Sequence, residues 1–344
     1  MGSEELGSYR RIDTRIEGEV MAQGTFAAHR SAPPDIDRRA LDRVVAVING
    51  KGGVGKTTLT ANVAGLLALS GWHVLAIDLD PQGSLGRDFG YRFTARDDDG
   101  QALAKGLQFP EDPPRLLKDV RPNLDVLPGG YALGGAVGAL ASKTTPAGIQ
   151  EAQLSLANLL IPIADDYDLI LIDCPPATDV LQTAAVAAAR WVVIPTKLDA
   201  GGVDGLEITA QRFSTVHYLN PTLDLLGVIL FDSSKASAKV RADLARDVEA
   251  ALGVDDAGPL IFNSYVRHSE RVPYETRKRG LLAHELNDKV KAEPKWYERL
   301  RAGIAGQEDQ KGPVSAETVA SSLQEIAAEF RERLAAKEAE ATRV

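Results

Sequence analysis

Residues 44–58 read VVAVINGKGGVGKTT, and the rest of the architecture can be worked out from them. The first five residues are apolar, as expected of a strand that is buried on both faces of a parallel sheet. A glycine-rich loop follows, and residues 57–69 then have a helical pattern that Gly71 closes. Strand, glycine-rich loop and helix in this order are the setting of a phosphate-binding loop.

Further apolar runs alternate with helical patterns along the chain. The predicted strands lie at residues 74–77, 169–172, 191–194 and 226–230, with weaker candidates at 124–127 and 260–262. The predicted helices after the first lie at residues 154–164, 180–189 and 238–252. This alternation predicts an α/β fold, a doubly wound and mainly parallel sheet flanked by helices. We expect residues 91–122, rich in Asp, Arg and Pro, to form a surface excursion.

Changes in composition divide the chain into three parts. Residues 1–42 carry scattered charge without a sustained apolar period, which predicts a flexible N-terminal arm. Met21 is an alternative start of the protein. Residues 43–290 contain the predicted phosphate-loop domain, and residues 291–344 are expected to form a helical C-terminal extension.

Composition excludes several classes of protein. The 344 residues carry a formal net charge of −9, which argues against coating nucleic acid by bulk charge but leaves room for a local basic face. A single cysteine, Cys174, excludes a disulfide framework and a four-cysteine metal site within one chain. Neither a membrane span nor a signal peptide is evident, so we expect a cytoplasmic protein with no membrane partner.

The glycine-rich loop predicts how a nucleoside triphosphate is held. Glycines let successive backbone N–H groups approach phosphate oxygens without Cβ clashes, and the following helix adds its positive end. The cradle comprises Gly52, Gly53, Val54 and Gly55. Lys56 is expected to reach the β- and γ-phosphates, Thr57 to ligate Mg²⁺, and Thr58 to contact the α-phosphate side.

A second lysine, Lys51, stands near the beginning of the loop, where an ordinary phosphate loop requires no basic residue. It points away from its own helix end, so it could reach a nucleotide held by a second subunit. Spacing alone equally allows a solvated surface lysine.

Carboxylates follow two of the predicted strands. Asp78 and Asp80 come directly after the second strand and share one side, where one can orient the metal shell and the other an attacking water. Asp173 ends the apolar run at 169–172, which is the arrangement that holds Mg²⁺ near Thr57. Cys174 has no adjoining histidine, so we expect a small buried residue rather than a nucleophile.

Residues 51–58, KGGVGKTT, resemble the deviant Walker A motif of the ParA/MinD class of P-loop ATPases, and the chain is identified as a member of the ParA family. The resemblance covers about residues 43–285. It implies that Lys51 crosses an ATP-sandwiched homodimer and acts like an arginine finger. Residues 78–83, DLDPQG, resemble the family's second motif, which implies water activation by Asp80 and support of the loop and metal by Asp78.

The same resemblance implies a function. A weak ATPase that uses ATP and Mg²⁺ would bind DNA without sequence preference as an ATP-bound dimer, on the nucleoid. It would release the DNA after hydrolysis, which a ParB-type centromere-binding protein would stimulate. The process served would be plasmid or chromosome partition. Two alternatives remain open: a MinD-like ATPase that positions a membrane or protein cargo, and a metal carrier that uses Cys174 from two chains. The predicted C-terminal helix, with mixed charge, is a poor lipid anchor.

Two basic groups are candidates for DNA contact. They comprise Lys235, Lys239 and Arg241 in the first group, and Arg267, Arg271, Arg277, Lys278 and Arg279 in the second. Such groups can meet phosphates despite the net charge, because DNA responds to charge within about 8 Å in physiological salt. An ordinary solvated face is the competing interpretation of each residue.

Overall fold

The computed structural model describes residues 36–176, 178–234, 237–292 and 313–341. Most of the predicted N-terminal arm and Met21 lie outside these residues. So do parts of the predicted C-terminal extension.

Seven strands form one sheet in the order β3-β4-β2-β5-β1-β6-β7. They are β1 Val44–Val47, β2 Val74–Asp78, β3 Leu117–Arg121, β4 Leu124–Leu127, β5 Leu169–Asp173, β6 Trp191–Thr196 and β7 Asp224–Leu230. Only the pairing of β3 with β4 is antiparallel among these strands; the other neighbours run parallel.

Helices cover both faces of the sheet. In the described residues they are α1 Lys56–Leu69, α2 Ser84–Phe89, α3 Gln101–Gln108, α4 Ala132–Ala141, α5 Pro146–Leu160, α6 Asp179–Ala188, α7 Ala200–Val216, α8 Ala238–Leu252, α9 Arg271–Arg279, α10 Ala283–Ala292 and α11 Ala316–Ala341. Buried residues of α1, α2 and α9 to α11 belong to one hydrophobic cluster, and those of α3 to α8 to another. The doubly wound, mainly parallel fold predicted from the sequence is confirmed.

The alternation of side chains along β1 explains why its sequence is apolar throughout. Val45 and Val47 belong to the cluster on the α1 face, whereas Val44 and Ala46 belong to the cluster on the opposite face. All four residues are buried. A central strand of a parallel sheet has no solvent face, so a period of two cannot appear in its hydrophobicity.

The register brings the ends of three strands to one place. Asp173 of β5 lies opposite Asp78 of β2 on one side and Val47 of β1 on the other. The backbone continues these contacts beyond the strands: Leu79 N–H donates to the Asp173 carbonyl and Cys174 N–H to the Val47 carbonyl. The loops after β1, β2 and β5 therefore share the carboxyl edge of the sheet, where open α/β sheets bind ligands.

Two local predictions were wrong. Residues 91–122 are not merely a surface excursion, because α3 buries Leu103 and Leu107 in the core and β3 pairs with β4 at the sheet edge. Residues 260–262 form no strand; a short 3-10 turn, Gly258–Leu260, is followed by a single bridge between Ile261 and Val228.

Helix α11 is part of the domain. It packs against α1 and α10, and the buried side chains recur along one stripe at Val319, Leu323, Ile326, Phe330 and Leu334. In the part of the chain that the structure describes, no helix has the length and apolar character needed to cross a membrane.

Replacing Leu323 by Ala should lower the free energy of unfolding by about 2–5 kcal/mol, because the side chain is fully buried in the hydrophobic cluster that α11 shares with α1 and α10. Glu332→Ala on the exposed side of the same helix should change it by less than about 0.5 kcal/mol. Urea titration followed by circular dichroism measures both. Equal stabilities of the two variants would contradict the packing role of α11.

Candidate nucleotide-binding site

The loop between β1 and α1 is closed on one side and open on the other. Gly55 has a φ of 90°, and a Cβ there would lie 2.1 Å from the ring of Phe231, so a side chain is excluded by both conformation and space. Gly53 has a φ of 76°, and a Cβ built on it would meet nothing within 4 Å. The open side is the one that a phosphate chain can occupy.

Lys56 occupies the interior of this loop. Its side-chain Nζ donates to the carbonyl oxygens of Asn49 at 3.1 Å and Lys51 at 2.8 Å, and the residue is only 6% exposed. Burial lowers the pKa of Lys56, and the nearby charges of Asp173 and Asp80 oppose that fall. Two backbone carbonyls hold this ammonium inside the loop, and phosphate oxygens are the acceptors expected to replace them.

Asp173 is the most unusual group of the site. It is 1% exposed, and neither carboxylate oxygen meets hydrogen-bond geometry with a partner among the described residues. Burial raises the pKa of Asp173 to about 7, although the adjacent Thr57 hydroxyl and the Lys56 ammonium favour the charged form. A buried, unpartnered carboxylate beside a threonine hydroxyl fits a Mg²⁺ site that takes its other ligands from phosphate and water.

The loop of residues 78–83, called here the Asp80 loop, depends on Asp78. The two oxygens of the Asp78 carboxylate accept from Asp80 N–H at 3.0 Å and Leu85 N–H at 2.9 Å. Burial, with the charge of Asp173, raises the pKa of Asp78 well above its usual range. Metal ligation by Asp78 stays a prediction, and these contacts favour the supporting part of its predicted role.

Asp80 lies at the turn of that loop and is partly exposed. One carboxylate oxygen accepts from Gln82 N–H at 2.8 Å, which fixes the direction of the side chain. The charge of Asp80 acts on both Lys56 and Asp173, so the three groups share one electrostatic site. Water activation by Asp80 stays a prediction, and the position of Asp80 near Lys56 and Asp173 is compatible with it.

Lys51 is held outside its own loop. Its Nζ forms an ion pair with Asp199 at 2.6 Å, and both side chains are substantially exposed. Asp199 also caps α7 by accepting from Gly202 N–H at 2.8 Å, and these hydrogen bonds lower the pKa of Asp199. Sequence reasoning missed Asp199. Its capping position before α7 was readable, but its pairing with a residue 148 positions earlier was not.

The remaining predicted residues lie around this centre. Val54 is buried, Gly52 is exposed, and Thr57 and Thr58 occupy the first turn of α1. Cys174 is buried, and that burial raises the pKa of its thiol, which suits the predicted packing role.

Three of the basic candidates are used in intramolecular contacts. Arg241 donates to the carbonyls of Phe262 and Asn263. Arg277 pairs with Asp88 at 3.0 Å, and Arg279 pairs with Glu275 at 2.9 Å. These contacts hold the fold together, so fewer charges are available to a ligand than the sequence suggested.

The other candidates are exposed cations. They are Lys239, Arg267, Arg271 and Lys278, and no ion pair joins any of them to another described residue. Arg271 and Lys278 share one face of α9 with Tyr274, which is 63% exposed. Lys235 lies outside the described residues.

Together the fold and the site define a P-loop nucleoside triphosphatase. A family model for an AAA domain, AAA_31, matches residues 42–225. The chain is 33% identical to the chromosome partitioning protein ParA of Caulobacter vibrioides over 229 residues, 66% of this chain and 83% of that protein. It therefore belongs to the ParA family of partitioning ATPases, as its motifs predicted.

Two other similarities agree with this membership. The chain is 28% identical to the chromosome-partitioning ATPase Soj of Treponema pallidum over 279 residues, 79% of this chain and all of that protein. Its structure matches the ATP complex of a McdA variant from Cyanothece with a TM-score of 0.58 at 25% identity, covering 82% of this chain and 96% of that one.

The Asp173 carboxyl should make stability depend on pH. Its folded pKa lies above that of an unfolded aspartate, near 3.9, so the folded state binds the additional proton between those values. Without Mg²⁺ and nucleotide, its contribution to the free energy of unfolding should rise as pH falls from about 7, by up to about 1.4 kcal/mol per pH unit. Thermal unfolding of wild type and Asp173→Asn between pH 5 and 8 measures the difference. Parallel pH curves would refute it.

Proposed function

We propose that this protein is a weak Mg²⁺-dependent ATPase whose ATP-bound homodimer binds DNA without sequence preference and leaves it after hydrolysis. A ParB-type centromere-binding protein stimulates that hydrolysis, in the service of plasmid or chromosome partition on the nucleoid. The observation that carries the proposal is Lys51: a lysine of the phosphate loop whose ammonium is held at the surface, on the exposed Asp199.

The phosphate loop, Lys56 and Asp173 bind ATP and its metal ion. The open face at Gly53 receives the phosphate chain, and the Lys56 ammonium leaves its two carbonyl partners for phosphate oxygens. Thr57 and Asp173 would hold the Mg²⁺, which would neutralise charge on those oxygens. The ATP complex of the McdA variant supports ATP as the nucleotide.

Asp80 orients the attacking water. The Gln82 N–H fixes the direction of its partly exposed carboxylate. Asp78 holds the loop in place by accepting hydrogen bonds from the N–H groups of Asp80 and Leu85. A carboxylate in this place accepts a hydrogen bond from the water and favours its approach to the terminal phosphorus. Hydrolysis yields ADP and phosphate, and the water supplies the oxygen that the phosphate gains.

Dimerisation supplies the last cation. An exposed ion pair such as that of Lys51 with Asp199 contributes little to stability, about 0–1 kcal/mol, so it can be exchanged for a better partner. In the dimer the Lys51 ammonium leaves Asp199 and reaches the phosphates bound by the partner. Because the charge on the transferred phosphoryl group develops there, a cation from the second subunit makes ATP hydrolysis depend on dimer formation.

The proposed DNA surface is the exposed side of α9 with the residues before it. Arg271, Tyr274 and Lys278 share a face, and Arg267 precedes the helix. Cations without carboxylate partners attract phosphates even on an acidic protein, because screening limits the repulsion from distant charges. The partitioning proteins named above support a chromosome-directed role for a member of this family.

A MinD-like positioning of membrane cargo is the competing function. The apolar side chains of α11 lie in the hydrophobic core, so this helix has no free apolar face for a lipid surface. Binding to anionic vesicles rather than DNA in the presence of ATP would favour the competing function.

DNA binding by the wild-type protein should require ATP and weaken steeply with salt. Asp80→Ala should keep ATP-dependent DNA binding while hydrolysis falls by about 10²–10⁴-fold, because only the water-orienting group is lost. Asp80→Asn, which retains an acceptor for Gln82 N–H, controls for loosening of the loop. Fluorescence anisotropy of a labelled duplex with ATP, ADP or no nucleotide provides the measurement. The proposed function would be rejected by DNA binding that is equally tight with ATP, with ADP and without nucleotide. It would also be rejected if no DNA binding were observed.

Arg271→Gln and Lys278→Gln should each weaken DNA binding by the same factor whatever the sequence of the duplex. Each should also lower the magnitude of the slope of log affinity against log salt by about 1. Lys105→Gln removes an exposed lysine from α3, on the opposite face of the sheet, and should leave that slope unchanged. A slope that falls equally in all three variants would show that net charge alone, rather than α9, attracts the duplex.

A further inference from the structure

Helix α2 is an extension of the Asp80 loop. Asp78 accepts from the N–H of Leu85 in the first turn of α2 and from the N–H of Asp80 itself. Gly83 before the helix and Gly90 after it both have left-handed backbones, with φ of 61° and 81°. The six residues of α2 are therefore tied to the catalytic loop at one end and bounded by glycines at both.

An ion pair joins α2 to α9. The Asp88 side chain is 5% exposed, and one of its oxygens accepts from Arg277 Nε at 3.0 Å. Burial raises the pKa of Asp88, and the Arg277 charge opposes that rise. A carboxylate this deeply buried depends on its cationic partner, so the two helices are held to each other at this point.

The carboxyl ends of the same two helices also meet. A Cβ on Gly280, the residue after α9, would lie 2.4 Å from the Cα of Gly90, so the two backbones touch where both residues lack side chains. Arg121 bridges the ends by donating to the carbonyl of Phe89 at 3.2 Å and to that of Gly280 at 3.1 Å. Glu285 pairs with Arg121 and fixes its orientation.

We propose that Asp88 and Arg277 are positioning residues that transmit the state of the Asp80 loop to the DNA-binding face of α9. The inference rests on the proposed function, since it describes how nucleotide state reaches the DNA surface. When the Asp80 loop rearranges on hydrolysis, α2 moves with it through Asp78, and the Asp88–Arg277 pair displaces Arg271 and Lys278 together. Coupling of this kind needs a structural element whose position depends on both the nucleotide site and the DNA-binding face. In this proposal α2 is that element.

The test compares the ratio of DNA dissociation constants with ADP and with ATP. In wild-type protein this ratio should be at least about fivefold. Asp88→Asn leaves every charge of α9 in place and should still reduce the ratio to within about twofold of unity. Arg277→Lys is a separate variant that keeps a cation opposite Asp88, and it should retain much of the wild-type ratio.

Lys278→Gln is the matched control, because it removes one exposed charge from α9 without breaking the Asp88–Arg277 pair. It should lower affinity in both nucleotide states and keep their ratio. If Asp88→Asn does not fold, the double variant Asp88→Asn with Arg277→Gln, which leaves neither charge buried and unpaired, takes its place with the same expectation. A ratio that survives unchanged in the folded single or double variant overturns the coupling alone. A wild-type ratio of one overturns the proposed function and the coupling with it.

Discussion

A buried carboxylate that finds no hydrogen-bond partner among the described residues is the constraint on which the site depends. Asp173 ends a strand that is buried on both faces, and in the described part of the chain neither of its oxygens meets hydrogen-bond geometry with a partner, although the Thr57 hydroxyl lies beside it. The opposite charge of Lys56 lies close by and is itself desolvated. Each charge offsets part of the desolvation cost of the other. A metal ion and a phosphate chain can offset the part of that cost that remains.

That arrangement could be read from the sequence because its parts are local. The phosphate loop is one unbroken stretch, and Asp173 directly follows an apolar run. Parallel pairing then requires the loops after β1, β2 and β5 to meet at one edge, whatever the intervening helices do. The ion pair of Lys51 with Asp199 could not be read in this way, because it depends on how α7 begins relative to the loop.

The wrong prediction for residues 91–122 has a physical cause. The segment 91–122 reads as surface because polar turns surround the few apolar residues of α3 and β3. Leu103 and Leu107 nevertheless reach the core from a helix of only eight residues, too short for a clear periodic signal. The stripe of α11 is different: its apolar residues recur every three or four positions, so a helix with one buried face could be predicted there from the sequence.

Basic residues illustrate what composition leaves open. The sequence places five cations within thirteen residues around α9, yet two of them bind buried carboxylates, and Arg241 binds backbone carbonyls. An arginine that holds the fold has little freedom to follow a phosphate backbone, whereas Arg271 and Lys278 have no such partner among the described residues. The surface left for a polyanion is therefore smaller than the charge count implies. The Asp88–Arg277 pair joins this surface to α2, the helix that follows the Asp80 loop, and that contact is the route of the proposed coupling.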